Sequence, residues 1–112
     1  MSRRPHKLLL EDILEASNKI KLYTRDLTFE EFINDDKTID AVVRNFEIIG
    51  EASNRIPDEI QLNYSSIEWK RIKGFRNRIV HEYFGIDYEI IWKIIQEQLD
   101  VLITNISEIL EN

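Results

Sequence analysis

The stretch "IEWKRIKGFRNRIVHEYF", residues 67–84, is where the fold can be read. Ile67, Trp69, Ile72, Phe75, Ile79 and Val80 recur at three- and four-residue steps, which predicts an amphipathic helix with a wide apolar face. Ser65 and Glu68 have the spacing of a capping box at its start, and Gly85 supplies a stop signal. The same segment holds Lys70, Arg71, Lys73, Arg76 and Arg78, five of the fifteen basic residues in nine positions. One side of this helix must pack against other elements while the rest presents a dense cluster of cations.

The neighbouring segments repeat the pattern. In "DDKTIDAVVRNFEIIGEASNRIP", residues 35–57, Ile39, Val42, Val43, Phe46, Ile49 and Ser53 share one stripe, and Pro57 closes the helix. Gly50 lies in its middle, where glycine costs up to ~1 kcal/mol relative to alanine. That cost suggests close approach of another backbone. Residues 57–66 read as a short connection. Downstream, Asp87 can cap a helix in which Ile91, Ile95, Leu99, Leu102, Ile106 and Ile109 repeat. This last helix carries further apolar residues, among them Ile90, Trp92 and Ile103, which fits either deep burial or a second apolar face for a twin subunit. Upstream, Leu9, Ile13, Ala16 and Ile20 define a helix from near Pro5 to about Tyr23. Thr28 and Glu31 form a capping box for a short helix that buries Phe29, Phe32 and Ile33. Five helices, no strand and short connections predict an all-α, up-and-down bundle comprising one domain over residues 1–112.

Composition narrows the function classes. The chain has 112 residues, three glycines, two prolines and no cysteine. A disulfide scaffold and a cysteine-rich zinc site are excluded, and a reducing, cytoplasmic setting is compatible. Glu11 and Asp12 interrupt the N-terminal apolar run, so neither a signal peptide nor a membrane span is expected there. The net charge of −6 argues against a generally basic nucleic-acid binder. The cluster at 70–78 is the exception, since a local positive patch can hold a phosphate chain on an acidic body. A solvated helix face is the simpler account of the same charges.

Within "FRNRIVHEYFG", residues 75–85, the chemistry-bearing side chains are Arg76, Asn77, His81 and Tyr83. On a continuous helix Asn77 and His81 would be one turn apart on one face, whereas Arg76 would stand about 140° from His81 and Tyr83 about 200°. Histidine both takes and gives a proton near neutrality. Arginine matches phosphate oxygens with a planar fork and keeps its charge. Together they suit cleavage of RNA without a metal, where the 2′-hydroxyl is already a nucleophile. That scheme needs two proton-transfer groups. The chain has two histidines, and His6 falls near the N-terminus in a segment expected to fray. A symmetric dimer sharing two copies of His81 meets the need. A lone histidine near a helix end can equally bond a carbonyl or favour the helix dipole. The run "HEY" lacks the helical spacing of zinc ligands, so no metal site is expected.

Arg76–Asn77, three residues, His81, one residue, Tyr83 resembles the arginine–polar–x3–histidine–x–tyrosine signature of HEPN-domain ribonucleases, in particular the HepT toxin branch. "FEIIGEASNRIP", "IEWKRIKGFRNRIVHEYFGID" and "IIWKII" are similar to that branch in the same order. The resemblance implies a HEPN helical bundle and metal-independent, cofactor-free RNA cleavage at a composite site on a homodimer. Arg76 and His81 would be the catalytic pair and Asn77 its supporting polar residue. It also implies a type VII toxin–antitoxin pairing with an MntA-like minimal nucleotidyltransferase antitoxin, alone as a dimer or in a larger assembly. That antitoxin would transfer AMP to Tyr83 and so neutralise the toxin. Lys73 and Arg78 are expected to contact the RNA backbone, and Glu51 is a candidate to reach the motif from the third helix. A noncatalytic helical partner of a nucleotidyltransferase is the competing expectation.

Overall fold

In the computed structural model, residues 4–81 and 85–111 are described, with the backbone alone for His81. Helix α1 spans His6–Thr24, α2 Phe29–Ile33, α3 Asp36–Arg55, α4 Asp58–Asn63, α5 Trp69–Lys73, α6 Phe75–Ile79, α7 Tyr88–Glu97 and α8 Leu99–Glu111. A two-residue hairpin pairs β1 (Val80–His81) with β2 (Gly85–Ile86), antiparallel, with Val80 opposite Ile86 and His81 opposite Gly85.

Helix α1 packs along α3 on one side and α8 on the other, while α5 and α6 lie against α3 and α6 also meets α7. The apolar stripes converge on one core. Ile13 and Ile20 of α1, Val42, Phe46 and Ile49 of α3, Ile79 of α6, Ile91 and Ile95 of α7, and Leu99 and Ile106 of α8 are fully enclosed. Helix α2 contributes Phe32, whose ring lies 5.2 Å from that of Trp92. The Thr28–Glu31 capping box forms as read: the Thr28 N–H donates to Glu31 Oε1 at 2.9 Å and the Glu31 N–H to Thr28 Oγ1 at 3.1 Å. Asp35 caps α3 and Asp87 caps α7. The buried hydroxyls of Ser17, Thr24 and Ser53 each donate to the carbonyl four residues earlier, so the core encloses these groups paired.

The helical bundle is the expected one, but two helices predicted as continuous are broken. The 67–84 helix begins later, at Trp69, and the Ser65–Glu68 box does not form. Glu68 occupies the N-cap without a side-chain capping bond and instead pairs with Arg71 at 2.9 Å. At Gly74 (φ −93°, ψ −2°) the chain leaves the regular α geometry and divides α5 from α6. It leaves the helix altogether at Val80 (φ −107°, ψ 118°). The β-branched Val80 and the positive φ of Gly85 (76°) suit the hairpin, and the Asp87 N–H closes it on the Ile79 carbonyl at 2.7 Å. Gly85 thus serves a strand and not a helix stop. The last helix breaks at Gln98 (φ −115°, ψ −31°), between α7 and α8. Lys21 of α1 donates to the Ile95 carbonyl beside that break at 3.3 Å. The connection expected at 57–66 contains α4. The breaks at Gly74 and Gln98 are not visible as lost apolar periodicity, because the helices on either side of each bury the same face.

Candidate active site and cationic groove

Helix α6 is positioned by its two inward residues. Phe75 is 1 % exposed and meets Phe46 of α3 edge to face, with ring centroids 5.6 Å apart, and Ile79 is fully buried. On a helix of five residues these anchors leave Arg76, Asn77 and Arg78 on the solvent side, and all three are exposed. Residue spacing then divides them. Arg76 and Arg78 flank Asn77 and face different neighbours.

Arg76 turns toward α3. Its Nε lies 3.7 Å from Glu47 Oε1, and Arg44 Nη1 approaches Glu47 Oε2 at 3.8 Å. Glu47 therefore sits between two guanidiniums, one of them from the motif. Glu51, the candidate to reach the motif from α3, is exposed and forms no ion pair among the described residues, which do not include the His81 side chain or Tyr83. The antiparallel register of α3 and α5–α6 explains the contact with Glu47. Gly50 stands opposite Lys73 and Phe46 opposite Phe75, which brings Glu47 to Arg76. Periodicity in either helix alone does not contain that register.

Lys73 and Arg78, read together as backbone-binding cations, are not brought together. Lys73 Nζ donates to Gln61 Oε1 at 3.1 Å, and Gln61 Nε2 in turn donates to the Ile56 carbonyl at 2.9 Å. Lys73 thereby ties α5 to α4 and to the end of α3. Arg78 instead lines an open groove of ≈ 890 Å³ between α5–α6 and α7, together with Lys70, Arg71 and Lys93. Glu68 and Glu97 lie in the same groove, and the first of these is already paired with Arg71. Lys93 was not anticipated, because it lies outside the basic cluster. The buried Ile91, Ile94 and Ile95 turn it outward beside α6. Four cations from three helices, against two carboxylates, give this face a positive balance that the net charge of the chain conceals.

His81 is not one helical turn beyond Asn77, since α6 ends at Ile79 and the His81 backbone pairs with Gly85 in the hairpin. The angular separations drawn for a continuous helix do not apply to it. Tyr83 lies outside the described residues.

The profile of the family described as "HepT-like: Ribonuclease HepT-like" matches residues 13–109. This chain belongs to the HepT-like ribonuclease family. Among curated relatives it is similar to "Putative RNase MJ1380" of Methanocaldococcus jannaschii, 43 % identical over 99 residues covering 88 % of this chain and 91 % of that protein. It is also similar to "Probable ribonuclease HepT" of Thermococcus cleftensis, 42 % identical over 100 residues, 89 % of this chain and 91 % of that one. "Putative RNase MJ0127" of Methanocaldococcus jannaschii is 39 % identical over the full 112 residues and 93 % of its own length. No solved structure matches the chain significantly. The family match spans α6, the hairpin and the groove, and it agrees with the all-α HEPN-like bundle described above. Among the described residues, no helix is long and apolar enough to cross a membrane.

Proposed function

We propose that this HepT-like chain is a metal-independent endoribonuclease that acts as the toxin of a type VII toxin–antitoxin system. The observation that carries the reading is the motif segment itself. Arg76 and Asn77 are held exposed on α6 by the buried Phe75 and Ile79, and the chain then turns immediately into the hairpin that bears His81. Membership in a ribonuclease family supports the reaction class.

In this scheme two copies of the chain bring their motifs to a shared cleft. One His81 removes the proton of the RNA 2′-hydroxyl, and the O2′ attacks the adjacent phosphorus. The second His81 gives its proton to the departing 5′-oxygen, leaving a 2′,3′-cyclic phosphate. Arg76 steadies the negative charge that builds on the phosphoryl oxygens, and Asn77 supports the pair. Arg78 and the neighbouring groove cations hold flanking phosphates, and Lys73 can add a contact through donors not used by Gln61. Neutralisation follows from the same electrostatics. An MntA-like nucleotidyltransferase would let the Tyr83 hydroxyl attack the α-phosphorus of ATP and expel pyrophosphate. The tyrosine-bound AMP then adds bulk and negative charge where RNA must bind.

Substitution of His81 by alanine tests the reading. Loss of RNA cleavage and of growth inhibition, with circular dichroism and dimerisation unchanged, is the expected result. Undiminished cleavage removes His81 from the mechanism. Mass spectrometry after incubation with the nucleotidyltransferase and ATP should find AMP on Tyr83, and modification elsewhere rejects that assignment.

A further inference from the structure

Beside the cationic groove lies a second, more enclosed cavity of ≈ 270 Å³, between the start of α5 and the junction of α7 with α8. Glu68, Arg71, Glu97 and Gln98 line both spaces, so the two adjoin. The inner wall of the cavity is apolar, formed by the buried Ile72, Phe75 and Leu102, and its rim is polar. Three polar side chains border it. Ser66 and Asn105 stand at its solvent-facing rim, where the Asn105 amide donates to the Ser66 carbonyl at 3.5 Å. The third is Gln98. Its Oε1 is shielded from solvent and meets no donor among the described residues. An unmade bond at such a position is costly. The terminal torsion of glutamine is soft, so a rotation can carry this oxygen into the cavity.

Apolar walls with a few convergent polar groups are the features of a small-ligand site. The volume falls below the roughly 300 Å³ at which pockets for drug-sized ligands begin, which suits a single planar ring system. Its mouth opens onto Lys70, Arg71, Arg78 and Lys93, the cations that would hold a phosphate chain. We infer that the cavity receives one unstacked base of the RNA, preferring a base with an exocyclic amino group, while the adjoining groove holds the phosphates on either side. The choice of RNA as ligand rests on the ribonuclease reading above. An amino group donates to the unpaired Gln98 oxygen. Uracil has a single imide N–H to offer in place of the two N–H groups of an exocyclic amine. The subsite would select sequence, a property the groove cations cannot supply because they contact only the backbone.

The test is an NMR titration of the full chain with AMP, CMP, GMP and UMP separately. The expected result is that the Gln98 side-chain amide and the Ile72 and Leu102 methyl signals shift with AMP, CMP and GMP, and that UMP binds more weakly. Gln98→Leu, which keeps the size of the side chain and removes its acceptor, should weaken AMP binding about tenfold. Val101→Trp, made at a rim position that is 59 % exposed, should close the cavity without disturbing the core. Shifts confined to Lys70, Arg71, Arg78 and Lys93 overturn the inference. So does equal AMP binding by the wild type and both variants, or a cavity filled by a second copy of the chain and insensitive to every nucleotide. The readout is binding and not cleavage. A chain that binds bases here and cuts no RNA therefore refutes the ribonuclease reading and leaves the base subsite standing.

Discussion

Replacing Gly50 by alanine should stabilise this protein, and replacing it by leucine should not. Gly50 lies inside α3, where glycine is about 0.8–1.0 kcal/mol less favourable than alanine. A β-carbon at this position would meet the Lys73 carbonyl oxygen of α5 at 3.6 Å, an ordinary van der Waals distance. Alanine therefore recovers nearly the whole helix propensity with no steric penalty, about 0.8 kcal/mol. With a urea dependence of about 1.5 kcal/mol/M, the unfolding midpoint rises by about 0.5 M. A leucine places further carbons where the α5 backbone already stands. Overpacking of this kind costs typically 1–3 kcal/mol, which outweighs the propensity gain. The strain should also reach the site, because Lys73 precedes Gly74 and the short α6 that carries Arg76. Urea denaturation of the three proteins, with RNA cleavage measured on each, decides the matter. The reasoning fails if alanine lowers the midpoint, since the helices would then approach more closely than 3.6 Å. It fails equally if leucine raises the midpoint as much as alanine does, since no backbone would then stand opposite Gly50.

Two further outcomes are expected. Glu47→Gln should change stability by less than about 1 kcal/mol, because its pairs with Arg44 and Arg76 are long and partly exposed; loss of the charge that holds Arg76 should lower RNA cleavage about tenfold, and an unaltered rate would show that Arg76 needs no such partner. The Asp35 carboxyl is held below its ordinary value of 3.8, first by the hydrogen bond from the Thr38 hydroxyl and then by that from the Thr38 N–H. The folded chain thus binds this proton less readily than the unfolded one, so the contribution is complete above about pH 4 and fades as pH falls through the lowered folded value. Thermal melts between pH 5 and pH 2 should show the wild type losing more stability than Asp35→Asn, and parallel curves would exclude the cap as an acid-sensitive contact.

Much of this architecture was legible in the chain because helix signals are local. The Thr28–Glu31 box and the Asp87 cap join groups three residues apart, and the stripes Ile39–Ile49 and Ile91–Ile106 follow from helical period alone. Each needs only a few neighbouring residues to be specified. The family signature at Arg76–Tyr83 was likewise a matter of order and spacing, and it led to the HepT-like family before any packing was known.

Tertiary structure decided what depends on register and on competition between distant groups. The breaks at Gly74 and Gln98 preserve the apolar periodicity on either side, so no pattern marks them. The pairing of Arg76 with Glu47 follows from the register in which α3 meets α5 and α6. Lys73 is engaged by Gln61, twelve residues earlier, while Lys93, fifteen residues beyond Arg78, joins the groove. Sequence alone determined which residue types occur and how a helix presents them. Only packing determined which charges meet, because their separations are fixed by side chains interlocking between helices and not by distance along the chain.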